Sequence, residues 1–413
     1  MLKRNPWPVI LQVIPELHTG GAERTTVEMA EAIRKGGGRA LVVSEGGELE
    51  RELSEAGGEL LRFPAKAKNP AALLVNAWRI ARIIQHYQVS LVHARSRAPA
   101  WSALLAARRT KRPFVTTYHG IYRQNGRLKS WYNGVMARGD AVIANSEYTA
   151  GVIRARHVLD ERRLHIIPRG VDLDRFNPAH VSPQRVASLR AAWGAAPDDT
   201  IILLPGRLTR WKGQHLLIEA VARLAGTRDI SNLKVVLAGD DQGRTGYSAS
   251  IAALIGELRL NGVVHIGGHC RDMPAAFLAA TVTVVPSLEE EGFGRVSIES
   301  QAMGCPVIAA NLGALPETLG WKAAPVGSQP ASASVSRLET GWLFRANDGG
   351  ALAEALGQAL ALSPGEREAT GALARRRVCA NFSTRALQVH TLGVYDALLG
   401  TQLARCFKAL ADH

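Results

Sequence analysis

Short apolar runs alternate with segments of helical periodicity along most of the chain. Five such runs in the N-terminal half predict buried strands, and they are Val9–Ile14, Ala40–Val43, Leu91–His93, Phe114–Tyr118 and Ala141–Asn145. Segments such as Glu23–Arg34 and Asn76–Gln88 lie between them and repeat apolar residues at the spacing of a helix. The alternation predicts an α/β fold, with a parallel sheet that carries helices on both faces.

The same alternation begins again near residue 201. Its predicted strands are Ile201–Leu204, Lys234–Ala238, Val263–Ile266, Thr281–Val285 and Pro306–Ala309. A stretch containing Pro and Asp, Ile167–Pro178, and a polar helix, Pro183–Ala192, separate the two series. The length of 413 residues is enough for two ordinary domains. We therefore expect two doubly wound, Rossmann-like domains, residues 1–180 and 195–385, that face each other across a cleft and bind ligands at the carboxyl ends of their strands.

Composition limits the class of protein. Hydrophobic residues make up 46% of the chain and charged residues 21%, which is typical of a soluble globular protein. Four scattered cysteines without a CxxC pair favour a reducing compartment and argue against a thiolate metal site. No run approaches the ~18 apolar residues of a membrane span, and the proline-interrupted start does not suit a secretion signal. We expect a cytoplasmic protein and leave open a peripheral position on the inner face of the cell membrane.

The net charge of +14 is unevenly distributed. Residues 93–163 contain fourteen Lys and Arg residues against four acids, a surplus of ten. The aromatic residues among these charges are Trp101, Phe114, Tyr122, Trp131 and Tyr132. Such a patch suits an anionic membrane surface, an acidic substrate or nucleic acid. The simpler interpretation is a solvated basic face above aromatic residues of the core.

The segment TGGAERTTVEMA, Thr19–Ala30, follows the first predicted strand. Gly20 and Gly21 let backbone amides approach a ligand closely, and a helix that starts near Ala22 directs its positive end to the same place. This arrangement suits a phosphate or a sugar hydroxyl, although a tight strand-to-helix turn has the same sequence pattern. Neither GxGxxG nor a GKS/GKT loop is present, so the dinucleotide and P-loop fingerprints are missing.

The segment GRLTRWKG, Gly206–Gly213, directly follows another predicted strand. It places Arg207, Arg210 and Lys212 in one short loop at the carboxyl end of that strand. Arginine offers a planar fork to phosphate oxygens, and lysine offers a mobile point charge. We expect an anion such as a diphosphate at this loop. A solvated basic turn is the alternative.

The segment SLEEEGFGRVSIESQAMGCPV, Ser287–Val307, combines carboxylates with glycines. It predicts a loop followed by a helix over residues 294–303 that ends at Gly304. Glu291 then precedes the helix, Glu299 lies more than one turn inside it, and Gly-Phe-Gly exposes amides between them. Carboxylates accept hydrogen bonds from vicinal hydroxyls, and amides bind phosphate or hydroxyl oxygens. The segment therefore predicts a holder for a sugar nucleotide.

Together these segments resemble the retaining glycosyltransferases of family 4, which have the GT-B fold. The similarity covers nearly the whole chain and rests on GGAER, TTYHG, ANSEYTAGVI, IPRGVDLDRF, GRLTRWKG, VLAGDD, PSLEEEGFGRVSIESQAMGCPVIAANLGALPE and TGWLF. The spacing of Glu291 and Glu299 before AMGCPVIA is the most specific of these features. The resemblance implies an N-terminal acceptor domain, a C-terminal domain for the nucleotide-sugar donor, and a last helix of about residues 386–413 that packs back on the first domain.

The resemblance also implies roles for residues of the donor domain. Arg207 and Lys212 match the pair that binds the donor diphosphate and stabilises the leaving group. Glu299 matches the carboxylate that holds the ribose, and Glu291 matches the group that contacts the donor sugar. The backbone amides beside Glu291 that would assist it belong to Gly292, Phe293 and Gly294.

Three further positions complete the implied site. His119 in TYHG matches a histidine near the donor sugar and the acceptor. Gly20 and Gly21 match the loop that covers the diphosphate. The loop that includes Gly268 and Arg271 would lie against the base. Glu291, His119, Arg207 and Lys212 are thus the expected catalytic residues.

Some features depart from the family pattern. Arg169 stands in IPRGVD where many members carry Asn, and residues 320–338, rich in Ala, Ser, Pro and Gly, suggest a surface insertion. Asp172 and Asp174 in DLD, like the acids of GDDQGR, resemble metal-binding pairs. The resemblance implies that Arg and Lys take the place of a metal. We therefore expect no metal and no cofactor, with a metal role for Asp172 as a minor alternative.

The predicted reaction is transfer of a sugar from a nucleotide-diphosphate donor, UDP-linked in the first instance, to an acceptor hydroxyl with retention. A glycoside hydrolase is one alternative, but it needs its two carboxyls about 5–9.5 Å apart, and largely helical chain at ~1.5 Å per residue places Glu291 and Glu299 farther apart. A nucleotide-sugar epimerase or sugar-phosphate synthase of the same fold is the second. A nucleic-acid binder is the third, and it would leave the diphosphate loop without a role.

The basic N-terminal domain guides the expectation for partners. Its charge and aromatic content suggest a glycan or lipid-linked acceptor at an anionic membrane surface, with a phosphorylated lipopolysaccharide core as the first candidate. The process would then be lipopolysaccharide or other cell-envelope glycan synthesis. We expect a nucleotide sugar as the small-molecule partner and no nucleic acid.

Overall fold

A computed structural model describes residues 7–18, 20–66, 69–122, 126–243, 245–321 and 333–410. The chain divides into two compact units. Unit 1 contains Met1–Gly170 and Thr384–His413, and unit 2 contains Val171–Ser383. The chain passes from unit 1 to unit 2 after residue 170, ten residues before the end predicted for the N-terminal domain. It returns to unit 1 at residue 384, close to the predicted residue 385.

Unit 1 is built on a seven-stranded sheet of order β3-β2-β1-β4-β5-β6-β7, in which all neighbouring strands are parallel. Its strands are β1 (Val9–Val13), β2 (Arg39–Ser44), β3 (Gly58–Arg62), β4 (Leu91–Ala94), β5 (Phe114–Tyr118), β6 (Ala141–Ala144) and β7 (Leu164–Ile166). The five predicted strands are confirmed to within about a residue. The missed strands, β3 and β7, form the two edges, where half-exposed polar positions interrupt the apolar run.

Helices cover both faces of this sheet. They are α1 (Gly21–Lys35), α2 (Glu50–Glu55), α3 (Pro70–His86), α4 (Arg97–Thr110), α5 (Arg127–Asn133) and α6 (Glu147–Arg156). Helix α3 begins where the Asn69 side chain accepts a hydrogen bond from the Ala72 amide, with Pro70 in its first turn. One apolar core lies under α3 and α4, and a second lies under α1.

Unit 2 repeats the plan with a sheet of order β10-β9-β8-β11-β12-β14-β13. Its strands are β8 (Thr200–Pro205), β9 (Leu233–Ala238), β10 (Val264–Gly268), β11 (Val282–Val285), β12 (Val307–Ala310), β13 (Val335–Leu338) and β14 (Gly341–Phe344). All neighbouring pairs are parallel except β13 and β14, which form an antiparallel hairpin.

The hairpin corrects the prediction of a surface insertion over residues 320–338. Residues 335–338 are strand β13, an edge of the sheet, and a two-residue turn joins them to β14. In Val335–Leu338 two polar residues stand between two apolar ones, so this strand carries neither an apolar run nor a regular alternation. The part of the predicted insertion from 322 to 332 lies outside the described residues.

The helices of unit 2 are α7 (Pro183–Ala192), α8 (Gln214–Ala225), α9 (Thr245–Glu257), α10 (Met273–Ala279), α11 (Arg295–Ala302), α12 (Leu315–Thr318), α13 (Gly349–Leu360) and α14 (Pro364–Asn381). Helix α11 is the helix predicted over 294–303. Ile298 and Met303 face the core, at 0% and 2% exposure. Gly304 follows the helix at φ +73°, a backbone angle that favours glycine.

The last two helices, α15 (Thr384–Leu399) and α16 (Leu403–Ala409), belong to unit 1. Tyr395 of α15 is fully buried there, and its hydroxyl is hydrogen-bonded to Nδ1 of His93 on β4 at 2.6 Å. The Gln388 side-chain amide donates to the carbonyl of Glu28 on α1 at 2.7 Å. In the part of the chain that the structure describes, no helix combines the length and apolar character of a membrane span.

Candidate functional site

In unit 2, the strand β8 leads into the loop GRLTRWKG at the carboxyl edge of the sheet. The Gly206 amide donates to the Ala238 carbonyl at 2.9 Å, and a Cβ on Gly239 would lie 1.9 Å from the Gly206 oxygen. The ends of β8 and β9 therefore pack backbone to backbone, which requires glycine. The guanidinium of Arg207 extends from this junction as an exposed side chain and donates to Gln242 Oε1 at 3.4 Å.

Lys212, at the end of the same loop, pairs with Glu291. The distance from Lys212 Nζ to Glu291 Oε1 is 2.6 Å, and the two side chains are only 13% and 11% exposed. The Ser287 hydroxyl donates to the same carboxylate oxygen at 2.5 Å. The sequence predicted that a ligand anion would balance the cations of this loop, whereas the structure shows that a carboxylate of the chain balances Lys212. A shielded charge requires such a partner.

Glycine and backbone contacts bring Lys212 and Glu291 together. Gly213 has φ +75°, and a Cβ there would lie 2.0 Å from the Pro286 carbonyl oxygen. The Leu288 amide donates to the Trp211 carbonyl at 2.8 Å. The lysine loop and the loop before Glu291 are thus joined through their backbones, which fixes the ion pair in place.

A second loop supports Glu291 from the other side. The Ala314 amide donates to the Glu291 carbonyl at 3.0 Å. Gly313 has φ +62°, and a Cβ there would lie 2.7 Å from the same carbonyl oxygen. This loop belongs to the segment NLGALPE, for which the sequence predicted no role. The supporting residues Ser287 and Gly313 were therefore missed, although the glycine after β12 was a usable signal.

The Gly-Phe-Gly segment begins helix α11. Gly294 is the N-cap at φ +97° and supplies no side chain to bond the first amides of the helix. The Phe293 side chain is 3% exposed and packs edge-on against Phe382, with 5.6 Å between ring centroids. Phe293 therefore anchors the segment in the core, and only its backbone can serve a ligand.

Glu299 lies inside α11, as predicted, and pairs with Arg295. The distance from Arg295 Nε to Glu299 Oε1 is 3.3 Å, and the side chains are 16% and 17% exposed. Glu291 and Glu299 are thus each engaged by a different cation. Neither carboxyl lies in the apolar surroundings that give a glycoside hydrolase its general acid.

The loop predicted to contact the base follows β10. Gly268 has φ +62°, a register shift precedes it in the strand, and a Cβ there would meet nothing within 4 Å. Arg271 is exposed. Asp272 is held by the start of α10, where it accepts from the Ala275 amide, and by Arg185 at 2.7 Å. The loop is open on the side of Gly268 and fixed at Asp272.

In unit 1, the predicted glycine loop lies at the start of α1. Gly20 is the N-cap in an extended conformation, and a Cβ on it would lie 2.2 Å from Glu23 Oε2. A Cβ on Gly21 would lie 1.8 Å from Nη1 of Arg169. A carboxylate and a guanidinium therefore lie directly against the two glycines.

His119 follows β5 and contacts the same arginine. Arg169 Nη2 donates to His119 Nδ1 at 2.8 Å, and the Asn145 side chain donates to the His119 carbonyl at 3.4 Å. Burial lowers the pKa of His119 well below its ordinary value, and the charges of Arg169 and Arg95 lower it further. The other ring nitrogen, Nε2, is shielded from solvent and has no hydrogen-bond partner among the described residues.

Buried polar side chains lie close to His119 in unit 1. Arg95 is 2% exposed and donates through Nε to Gln12 Oε1 at 2.6 Å. His93 is bonded to Thr117 Oγ1 at 2.7 Å, and burial lowers its pKa well below the ordinary value. Arg95 and Gln12 were not among the predicted site residues, although an arginine directly after a buried strand was a signal for a polar interior at this edge.

The basic segment 93–163 serves several structural purposes. Trp101 and Phe114 are buried, at 8% and 0% exposure, so the core interpretation holds for both. Three of its arginines form ion pairs with acids of the segment, Arg108–Asp140, Arg154–Glu161 and Arg162–Asp160. On helix α5 of the same segment, Arg127, Leu128, Lys129 and Trp131 are exposed.

No group of three or more His, Cys, Asp or Glu side chains is placed to hold a metal in the described ranges. Asp172 accepts hydrogen bonds from the amides of Asp174 and Arg175, both at 3.0 Å. It therefore closes a turn of its own loop.

Comparison with known families supports the resemblance. The family described as Glycosyltransferase Family 4 matches residues 19–175, and Glycosyl transferases group 1 matches residues 186–377. A D-inositol 3-phosphate glycosyltransferase of Jonesia denitrificans is 30% identical over 254 residues, 56% of this chain and 58% of that protein. Its counterpart in Mycobacterium tuberculosis strain F11 is 29% identical over 64% of this chain and 50% of its own length. The chain thus spans about half the length of these curated relatives.

Solved structures match over nearly the full length. A glycosyltransferase from Rickettsia africae ESF-5 is 32% identical, with a TM-score of 0.83, and the match covers 95% of this chain and 99% of that one. Anabaena Alr3699/HepE in complex with UDP and glucose is 22% identical, with a TM-score of 0.77, covering 94% and 99%. At that identity the second match shows the fold, two Rossmann-like α/β sheets of the GT-B class. The chain therefore belongs to the glycosyltransferases, with a Family 4 N-terminal half and a group 1 C-terminal half.

Proposed function

We propose that the protein transfers a glycosyl group from a nucleotide-diphosphate sugar to an acceptor hydroxyl, with retention of configuration. The observation that carries the proposal is the Lys212–Glu291 pair, less than 15% exposed on either side, next to the uncapped start of α11. A cation, a carboxylate and backbone amides are thus combined at the carboxyl edge of a doubly wound sheet, where ligands bind.

The leaving group would be stabilised by the cations of the β8 loop. An ammonium carries three donors, so Lys212 can keep its bond to Glu291 and still donate to a phosphate oxygen. Arg207, whose side chain is exposed, would supply a planar fork to the same diphosphate. Charge develops on the diphosphate as the glycosidic bond breaks, and fixed donors then stabilise the transition state more than the ground state.

The carboxylates would hold the two sugars of the donor. Glu291 accepts from Lys212 and Ser287 through Oε1, and we assign the donor sugar hydroxyls to this carboxylate, with assistance from the amides of Gly292, Phe293 and Gly294. Glu299 is assigned to the ribose. In unit 1, we assign the amides of Gly20 and Gly21 to the diphosphate and His119 to the donor sugar.

A UDP-linked donor is the first choice. HepE was solved with UDP-glucose, and its fold matches this chain at a TM-score of 0.78 and 21% identity. We assign the base to the loop of Gly268 and Arg271, where space is open at Gly268. No metal or other cofactor enters the proposed reaction, so transfer should persist when a chelator is added.

The acceptor is proposed to be a glycan or a lipid-linked glycan at an anionic membrane surface. Helix α5 supports this because it exposes Leu128 at 86% and Trp131 at 57% beside two cations. Apolar side chains flanked by Lys and Arg suit the headgroup region of an anionic bilayer. A phosphorylated lipopolysaccharide core is our first candidate, and the process would be cell-envelope glycan synthesis.

Sedimentation with vesicles tests the membrane part. The protein should sediment with anionic vesicles and not with neutral ones, and a Leu128→Ser/Trp131→Ser variant should stay in the supernatant. A Trp7→Ser variant is the matched control, since Trp7 is also exposed, at 58%, but lies outside α5. Equal binding to both vesicle types would exclude charge-dependent membrane attachment.

Thermal shift against a panel of nucleotide sugars tests the donor part. We expect a UDP-sugar to raise the melting temperature, and Glu291→Gln to lose the preference for one sugar while still responding to UDP. NMR of the product anomer would then establish retention or inversion. Turnover of the donor without any acceptor would favour an epimerase, and transfer to a sugar phosphate would identify a sugar-phosphate synthase. Full transfer activity in Glu291→Gln would overturn the assignment of Glu291.

A further inference from the structure

Three loops at the carboxyl edge of the unit 1 sheet meet at the Arg169 side chain. Gly21 follows β1, His119 follows β5, and Arg169 follows the edge strand β7, while β4 and β6 occupy the intervening positions in the sheet. The guanidinium occupies the volume that a side chain on Gly21 would need, since a Cβ there would lie 1.8 Å from Nη1 and 3.0 Å from Cζ. The absence of a side chain at Gly21 therefore lets Arg169 reach the end of β5.

The contact of Arg169 with His119 defines which ring nitrogen carries a proton. A guanidinium has only N–H donors and stays protonated at all ordinary pH values. Arg169 Nη2 lies 2.8 Å from His119 Nδ1, so Nδ1 must be the acceptor. The single proton of the neutral imidazole is then on Nε2, because a protonated ring would place two donors against each other.

The groups around His119 agree with a neutral ring. Burial is the largest cause that lowers its pKa, and the charges of Arg169 and Arg95 and the ring of His93 act in the same direction. The Asn145 amide and the Tyr122 hydroxyl are each hydrogen-bonded to the His119 backbone. No acidic side chain is among the groups that shift its pKa. Arg169 is thus the group that bonds the ring itself.

The remaining nitrogen, Nε2, has no hydrogen-bond acceptor among the described residues and is shielded from solvent. A buried N–H without an acceptor costs about 1–3 kcal/mol. Such a cost is tolerated where a ligand supplies the acceptor. An N–H donor selects an oxygen, either a hydroxyl or a phosphate oxygen.

We propose that Arg169 is a positioning residue that holds His119 as the neutral Nε2–H tautomer, so that His119 donates a hydrogen bond to an oxygen of the donor sugar and does not serve as a proton acceptor. The identity of that oxygen rests on the proposed function. We call the restriction of His119 to the Nε2–H tautomer by Arg169 the tautomer lock. This lock is a property of the free protein and is independent of the ligand.

Nitrogen-15 NMR of histidine-labelled free protein tests the lock directly. Comparison with His119→Gln assigns the signals, and those of His119 should show the Nε2–H tautomer and should not change between about pH 5.5 and 8. In Arg169→Leu we expect a mixture of tautomers that titrates within this range. Arg169→Lys should restore the wild-type pattern, because an ammonium is also a donor without acceptor capacity. An Nδ1–H signal in the wild type, or an unchanged signal in Arg169→Leu, would overturn the proposal.

Kinetics separate positioning from mere stability. Arg169→Leu should lower kcat/KM for the donor about tenfold through the loss of one well-aligned hydrogen bond, and its pH profile should gain an acid limb between about pH 5.5 and 7. The wild type and Arg169→Lys should show no such limb. A tenfold loss with an unchanged profile would mean that Arg169 acts only on folding or binding.

Gly21→Ala covers the case in which Arg169→Leu does not fold. It keeps the arginine but displaces the guanidinium from His119, so the tautomer mixture should appear there as well. Addition of a nucleotide sugar should shift the His119 Nε2 signal in the wild type. If the lock is present and no nucleotide sugar shifts this signal, the assigned ligand is wrong while the lock stands.

Discussion

The two units share a strand order but differ in how they place charge at the carboxyl edge. Counted within each unit, both sheets have the order 3-2-1-4-5 and differ only in the last two strands, which are parallel in unit 1 and an antiparallel hairpin in unit 2. In unit 1 this edge holds the buried His93 and the half-buried His119, both of lowered pKa, and the buried Arg95. In unit 2 it holds two ion pairs of low exposure. The same topology thus supports two kinds of polar chemistry.

The physical reason is that topology fixes where loops are and side chains decide what the loops do. A neutral histidine donates or accepts without a counter-charge, so unit 1 needs no acid at His119. A lysine in a shielded position requires a carboxylate, so unit 2 pairs Lys212 with Glu291. Unit 1 is therefore expected to respond to pH and unit 2 to the loss of a charge.

Removal of Lys212 should give the largest effect. Lys212→Ala removes a cation from the leaving-group site and leaves Glu291, 11% exposed, without its ammonium partner. We expect kcat/KM for transfer to fall by roughly a hundredfold or more. The control is Lys234→Ala in the same unit, whose ammonium donates to the Gly262 carbonyl before β10. Similar rates in Lys212→Ala and the control would remove Lys212 from the catalytic group.

Alanine substitutions at Gly213 of unit 2 and Gly21 of unit 1 should differ next most strongly, in their effect on the free energy of unfolding. Gly213→Ala forces φ +75° on a residue with a Cβ and places that atom 2.0 Å from a backbone oxygen, so it should cost at least about 2 kcal/mol of unfolding free energy. Gly21→Ala meets only the end of the Arg169 side chain, which can move. Its cost should be about 1 kcal/mol, from the loss of the Arg169–His119 hydrogen bond. Thermal melts of both variants give the comparison, and equal losses would contradict it.

As the pH falls, the free energy of unfolding should decrease more in unit 1 than in unit 2. Burial lowers the folded-state pKa of His93 and His119 well below the ordinary value, so above that value both are neutral in the folded and unfolded chain. As the pH falls below it, the unfolded chain gains protons that the folded unit excludes, and each histidine costs up to about 1.4 kcal/mol per pH unit. Unit 2 has one histidine of lowered pKa in the described residues, His215, which is half-buried.

Hydrogen exchange at two pH values measures this difference. After correction for the intrinsic rate, amides of β4 and β5 should lose protection between about pH 7 and 5.5, while those of β8 and β11 should change less. The variant His93→Gln should reduce the loss in unit 1. A larger loss in unit 2 would contradict the comparison.

Loss of one buried hydroxyl should give a smaller effect than Lys212→Ala or Gly213→Ala. Tyr395→Phe keeps the ring but removes the hydrogen bond to His93 Nδ1, and we expect a cost of about 1 kcal/mol. The matched change in unit 2 is Tyr247→Phe, which removes a 3.1 Å bond to Gln214 from a half-buried ring. Denaturant melts should show the larger shift for Tyr395→Phe. The reverse order would mean that the His93 contact adds nothing to stability.

The sequence predicted most of the buried strands and the edge strand β10, and it missed the buried strand β14 and the edge strands β3, β7 and β13. Strands such as β1 and β5 are continuous apolar runs, because helices cover both of their faces. Strands β3, β7 and β13 are half-exposed, so their residues carry no such run. Residues 335–338 form a strand by pairing with β14, which follows after a two-residue turn and itself pairs with β12.

The sequence likewise predicted one part of the candidate site and not another. Glycine loops, the β8 cations and the E-x7-E spacing were visible as local patterns, and the structure places each of them after the expected strand. The partners of these residues were not visible. Glu291 is 79 positions from Lys212, and Arg169 is 50 positions from His119. Contacts over such separations follow from strand order, which a local pattern does not encode.

The sequence by itself therefore determined the two α/β units, most of their buried strands and the residue types at the carboxyl edges, because hydrophobic period and glycine position are local properties. The Arg295–Glu299 pair is likewise local, since it joins neighbours four residues apart on one helix. Only the tertiary structure decided which polar side chains of distant segments meet, and it paired Lys212 with Glu291 and brought Arg169 against His119. The reason is that shielded charges and buried ring nitrogens take the partners that the packing of distant loops makes available.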